Sequence, residues 1–290
     1  MIGVSHAMSF GDHIRSCNNY DPTRVVPLIA GNARIGLVRR DNAEALRRFP
    51  DVFAAGEHKV ELVARGDVAA VSRAIDAVVD ALVSEGRVPK WRNETFDAAP
   101  RWGEPPVFRL DRGAVPFFGT RAYGVHLNGY LRQGDTLWLW IGRRSPDKQV
   151  APNKLDNLVA GGIGNGHGVD ETLLKEGEEE ASIPRSLLSR AISASAVSYR
   201  METKLGIRDD VLFVYDLEMP TDFVPENRDG EIVHFELMPV SAVLGRIRTT
   251  SDFKFNVNLV ILDFAVRHAL LRPDDPEYLD IATGLHRPLD

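Results

Sequence analysis

The chain has 290 residues, 44% hydrophobic and 26% charged, with a net charge of −6. That is the composition of a folded globular protein, long enough for one large domain or two smaller ones, and its acidity argues against a general nucleic-acid binder, which needs a basic footprint. Cys17 is the only cysteine, so an intrachain disulfide is excluded and a reducing compartment is the natural expectation.

At the start of the chain, residues 1–16 lack the apolar core of a signal peptide. No later run approaches the roughly 18 apolar residues of a membrane helix. The expectation is a soluble, cytoplasmic protein that does not engage a membrane. Residues 24–38 predict two strands around an Ala-Gly-Asn turn. A short helix over 42–49 is ended by Pro50, and 58–64 predicts another strand. Asp67 is placed to cap a helix whose stripe is Val68, Val71, Ile75, Val78, Val79 and Leu82, with Gly86 at its end. The Pro- and Trp-containing stretch 89–106 reads as a linker.

A second unit begins near residue 115. Segments 121–132 and 136–144 flank Gln133-Gly134-Asp135 and predict a β-hairpin. Residues 161–183, GGIGNGHGVDETLLKEGEEEASI, pass from a glycine-rich loop into an acidic helix. Positions three and four apart share a helix face, so Glu176, Glu179 and Glu180 project from neighbouring turns and repel. A hard divalent cation would relieve that repulsion; a solvated acidic face is the competing reading. A further helix is expected at 184–196, with Pro184 early in its first turn. Strands are expected at 211–219 and 231–238, the latter with Val233, Phe235 and Leu237 on one face. A mostly buried helix is expected over 257–271. Strands before and after a central helix, with a closing helix, suit an α/β/α sandwich with a mixed sheet.

The stretch 161–183 resembles the Nudix box, G-x5-E-x7-R-E-U-x-E-E-x-G-U with U apolar. Gly161 takes the first glycine, Lys175 and Glu176 the Arg-Glu pair, Glu179 and Glu180 the Glu-Glu pair, and Ile183 the last apolar place. Four positions depart from the pattern: His167 replaces the first Glu, Lys175 the Arg, Gly177 an apolar residue and Ser182 a glycine. Segments 14–29, 49–53, 123–131, 139–148, 154–162, 178–184, 229–238 and 253–268 extend the likeness over nearly the whole chain. They resemble the branch related to thiamine pyrophosphokinase-associated Nudix proteins, which carry an extra N-terminal domain. The resemblance implies a Nudix α/β/α sandwich over 115–290, preceded by a small α+β domain over 1–114. It implies a Mg2+- or Mn2+-dependent pyrophosphohydrolase that cleaves a phosphoanhydride with metal-activated water. The substrate would be a small-molecule diphosphate, of the nucleoside-diphosphate-X or thiamine-diphosphate kind. The alternative is a non-catalytic module of the same fold that binds a phosphorylated ligand.

On this reading Glu176, Glu179 and Glu180 hold metal. Glu231, beside an Asp-Gly pair that also reads as a turn, is a further ligand, a general base or part of that turn. Gly161 and Gly162 would let backbone N–H groups approach phosphate. Arg143, Arg144, Lys148 and Lys154 are a cationic set suited to phosphates, with Arg144 and Lys154 favoured. His167 is a ligand, a proton carrier or an exposed loop residue. The glycine spacing fits neither G-x-G-x-x-G nor a Walker A loop. Trp138, Trp140, Tyr123 and Tyr130 stack a substrate ring or fill the core. The N-terminal unit would shape the pocket, mediate a homodimer, or both.

Overall fold

The computed structural model describes residues 8–91 and 94–289. Of the segment read for a signal peptide, residues 1–7 therefore lie outside the described residues. Helix α1 (Phe10–Cys17) opens on a Ser9/Asp12 capping box. Strands β1 (Val25–Ala30) and β2 (Ala33–Arg39) flank the expected turn. Then come α2 (Arg40–Leu46), β3 (Phe53–Ala55), β4 (Val60–Leu62) and α3 (Val68–Ser84). The Asp67 side chain accepts from Ala70 N at 2.8 Å at the start of α3. Val71, Ile75, Val78, Val79 and Leu82 are its buried stripe. The four strands order as β2-β1-β4-β3, with β1 and β4 parallel.

The expected linker, of which residues 92–93 lie outside the described residues, contains a strand instead of a plain connection. Strand β5 (Thr95–Ala98) pairs antiparallel with β6 (Phe108–Asp111). Phe96, Ala98, Phe108 and Leu110 join the α3 core, because alternating apolar residues on a two-stranded ribbon bury one face. Helix α4 (Val115–Phe118) leads into the hairpin of β7 (Arg121–Gln133) and β8 (Thr136–Arg144).

After β9 (Leu155–Asp156) and β10 (Val159–Gly162) comes α5 (Val169–Ala181), the acidic helix. The helix expected at 184–196 is confined to α6 (Arg185–Leu188); residues 192–202 form β11 (Ile192–Glu202). Its register with β12 (Ile207–Glu218) buries Val197 and Tyr199 in the core under α8. Pairing overrides the helix-compatible Ser/Ala composition. Strand β13 (Ile232–Pro239), α7 (Val240–Thr249), α8 (Val257–Arg267) and α9 (Tyr278–Gly284) complete the chain. A bulge in β13 shifts register between Ile232 and His234. Val233 is therefore 60% exposed, not aligned with Phe235 and Leu237 as expected.

The large sheet orders β11-β12-β7-β8-β13, with β12 and β7 parallel; β10 adds to β7 and β9 to β8. One face packs on α1, α7, α8 and α9, where Val257 to Ala265 are buried on every side of α8. The other face packs on α5 and α6 through Leu127, Leu158, Leu173, Leu187 and Leu188. The result is an α/β/α sandwich with a mixed sheet. Helix α1 packs its Phe10, Ile14 and Cys17 into this second core although the chain then continues into the first sheet. No helix among the described residues is long and apolar enough to cross a membrane.

Candidate active site

Helix α5 is seated so closely on β10 and α6 that two glycines are required. A Cβ on Gly161 would meet Glu176 Cγ at 2.3 Å, and one on Gly177 would meet Leu188 Cδ2 at 2.7 Å. Leu188 of α6 thus fills the space that an apolar residue at 177 would take. Across Gly162 lies Phe96 of β5. Gly161 and Gly162 allow α5 and β5 to approach, a packing role that the reading of them as phosphate-facing did not include. Ser182 caps α5 in the left-handed conformation at φ 54°, the reason a glycine suits that position. Its hydroxyl compensates by donating to Glu226 O at 2.6 Å.

The loop 226–231 is tied to the end of α5. Arg228 N donates to Glu179 O and Glu226 N to Ala181 O. Asn227 Nδ2 donates to Glu180 O at 3.1 Å and to Asp229 Oδ1 at 2.7 Å. These contacts gather Glu180, Asp229 and Glu231 into a group in which one carboxylate oxygen from each lies within 4.8 Å of the others. Glu180 is 4% exposed, and its Oε2 accepts from Ala160 N at 2.9 Å. Glu176 and Glu179 flank the group without joining it. Lys175 Nζ reaches Glu176 at 3.2 Å and Glu179 at 3.3 Å, and Glu179 is exposed. The structure therefore brings Glu180 and Glu231 together, adds Asp229, and sets Glu176 and Glu179 alongside. A cavity of about 680 Å³ opens beside them, lined in part by Glu179, Ser182, Arg228 and Asp229.

Electrostatics mark Glu180 and Glu176 as under-compensated. Burial pushes Glu180 well above the usual carboxylate range; the Ala160 N–H offsets part of this, and the charges of Glu176, Asp156 and Glu231 add to it. Burial also raises Glu176, with Lys175 opposing. Behind them Asp156, 1% exposed, takes Arg144 Nη1 at 2.6 Å and Lys254 Nζ at 3.2 Å. Burial pushes Asp156 up, but those two cations outweigh it and hold it below the usual range. The neighbouring His126 is driven down to about 4, first by burial and then by the charge of Lys254.

Arg144 does not serve substrate as expected. Its guanidinium is 7% exposed and gives Nε to Ala151 O, Nη2 to Val150 O and Nη1 to Asp156. Lys154 donates to Ser251 O at 2.5 Å. His167 is exposed, with Nδ1 3.4 Å from Glu171 Oε1. Trp140 is buried and Trp138 half-buried in the core under α5, Tyr130 packs on Phe264 and His268, and Tyr123 packs on Trp102 and Phe213. Burial pushes the Cys17 thiol up to about 12, far from a nucleophile. Sequence reasoning missed Asp229, read only as half of a turn, and the buried pair Asp156–Lys254. A lone lysine within the apolar stretch FKFNVNLV was the available signal for the latter.

Residues 9–122 match a family described as "Domain of unknown function (DUF4743)". The chain is 41% identical over 259 residues to Nudix hydrolase 24, chloroplastic, of Arabidopsis thaliana, covering 88% of this chain and 71% of that protein. It is 38% identical over 289 residues to Nudix hydrolase 20, chloroplastic, of the same plant, covering 96% and 77%. Among solved structures, a Deinococcus radiodurans protein aligns with a TM-score of 0.43 at 24% identity, over 58% of this chain and 97% of that one.

Proposed function

The chain belongs to the Nudix hydrolase family, and from that premise we propose metal-dependent cleavage of a phosphoanhydride at Glu180, Asp229 and Glu231. The observation that carries this reading is the convergence of three carboxylates, from two segments distant in sequence, beside an open cavity. The donor set fits Mg2+ or Mn2+: it is made of hard carboxylate oxygens, without the thiolate or imidazole of a zinc site. A bound cation would offset the charge of the diphosphate and make water a stronger nucleophile.

The chain's own residues divide the remaining work. Ala160 N–H fixes Glu180, and Asn227 fixes Asp229. Glu176 and Glu179 supply further carboxylates that Lys175 keeps apart from the core group. Glu231, more exposed than Glu180, has one oxygen for the cation and a second to accept the proton of the attacking water. Arg228 in the cavity wall is a cation for the substrate's phosphates. The cavity volume is in the range of small-molecule sites, in keeping with a nucleoside-diphosphate-X or thiamine-diphosphate-like substrate. The division into 1–114 and 115–290 belongs to the proposal, with α1 reaching back into the second core. A reducing location such as the cytosol rests on the single cysteine.

Phosphate and monophosphate release is the test. The panel is thiamine diphosphate, its oxidised analogues, ADP-ribose, NADH and nucleoside triphosphates, with Mg2+ or Mn2+ and with EDTA. Cation-dependent release from one class supports the reading. Glu180→Gln should lower turnover on the order of a hundredfold or more, and a folded variant with near-normal turnover sinks it.

A further inference from the structure

The strap between β8 and β9, residues 145–153, is built to hold a lysine over the acidic group. From inside, the Arg144 guanidinium grips the carbonyls of Val150 and Ala151. Beside it, Arg143 Nη1 donates to Asn153 O at 2.7 Å. Ala151 and Asn153 are held in the left-handed region, at φ 51° and 59°, a conformation that surrounding contacts must enforce on non-glycine residues. Near its start, Ser145 N donates to Glu231 O at 2.8 Å. Lys148, the one cationic residue of the strap's sequence, forms an ion pair with Glu231.

We propose that Lys148 is an internal counter-ion. It holds Glu231 while no cation is bound, yields that carboxylate to a divalent cation, and then turns to the substrate's diphosphate. The inference rests on the reading of Glu180, Asp229 and Glu231 as cation ligands. Three carboxylates this close repel one another, and a single ammonium relieves that only in part. A doubly charged cation competes for the same oxygens. The Lys148 ammonium is a point charge on a flexible stem and can exchange partners while the strap stays put, whereas the fork of Arg144 is locked by three acceptors. Released from Glu231, the ammonium stands beside the site to which the diphosphate comes. Cation and diphosphate then favour each other reciprocally, so the lysine suppresses cation uptake until substrate arrives.

The test uses the full chain as wild type, Lys148→Met and Lys148→Arg. Mn2+ alone is titrated by electron paramagnetic resonance, and methylenediphosphonate is titrated calorimetrically onto Mn2+-loaded protein. Lys148→Met is expected to bind Mn2+ alone roughly three- to tenfold tighter and methylenediphosphonate about tenfold weaker, the scale of one partly exposed ion pair. Lys148→Arg should keep Mn2+ affinity within about twofold of wild type. A strap that is merely structural would leave Mn2+ affinity unchanged or weaken it in Lys148→Met, and either result overturns the proposal, as does unchanged methylenediphosphonate affinity. Should wild type take up no Mn2+, the cation-site reading itself falls; should wild type take it up and Lys148→Met match it, only the lysine's role falls.

Discussion

Buried carboxylates stand on both faces of the large sheet and are treated in opposite ways. On the α8 side, Arg267 donates Nη1 and Nη2 to Asp216 at 2.5 and 3.1 Å and Nε to Asp263 at 2.7 Å. Asn128 and Ser195 complete the set. Burial pushes Asp216 up, but hydrogen bonds from His268, Arg267 and Asn128 outweigh it and leave it below the usual range. On the α5 side, Glu180 has one backbone N–H and lies well above that range. Charge that serves the fold is saturated by fixed donors. Charge in the candidate site is left for something that comes and goes, which is what the proposed cation would supply.

Removing one member from each face should break the contrast most visibly. Arg267→Met removes the shared cation of Asp216 and Asp263, leaving them Asn128, His268 and Ser195, and should cost about 3 kcal/mol in urea denaturation. Glu180→Gln should leave stability unchanged or raise it by about 1 kcal/mol, because a buried charge is removed. Equal destabilisation by both would erase the distinction.

His126 sharpens it through pH. Its folded value of about 4 lies below the unfolded reference of about 6.5, so between these pH values the unfolded chain holds a proton that the folded one lacks. Its contribution is therefore complete above pH 6.5 and lost as pH falls toward 4, on the order of 3 kcal/mol in all. Denaturant midpoints at pH 7, 5.5 and 4.5 should fall less steeply in His126→Gln than in wild type.

Smaller effects test how α5 is seated. Gly177→Ala drives a methyl into Leu188 and should cost about 1–3 kcal/mol. Adding Leu188→Ala should recover part of that loss, and strict additivity in thermal melts would show that the two do not share the space. Ser182→Ala removes the hydroxyl bond to Glu226 O while keeping the left-handed cap, a loss of about 1 kcal/mol. Ser182→Gly should fall within about 0.5 kcal/mol of wild type, the relieved backbone offsetting the lost bond.

Legibility followed the range of the interactions. The α3 stripe, its Asp67 cap and the β7–β8 hairpin were readable because period and turn chemistry are local. Strand β11 was not: Ser193 to Ala196 carry no strong period, and only the pairing with β12 decides their state. The bulge at Val233 likewise exists only against β8. In the site, Glu180 and Glu231 were marked by the box and by the acidic residue opening a strand. Asp229 was hidden because one residue both makes the turn and faces the group. Arg144 was misassigned because sequence shows a guanidinium's charge but not that buried carbonyls and Asp156 already surround it.

The hydrogen bonds between loop 226–231 and the end of α5 have a topological consequence. Glu180 and Glu231 are separated along the chain by the whole of β11 and β12, so whatever bridges them closes a loop around that edge hairpin. A ligand that bridges them only in the folded chain adds stability by mass action. Amide hydrogens of β11 and β12 should then exchange more slowly as the bridge fills, making the sheet's edge a gauge of occupancy.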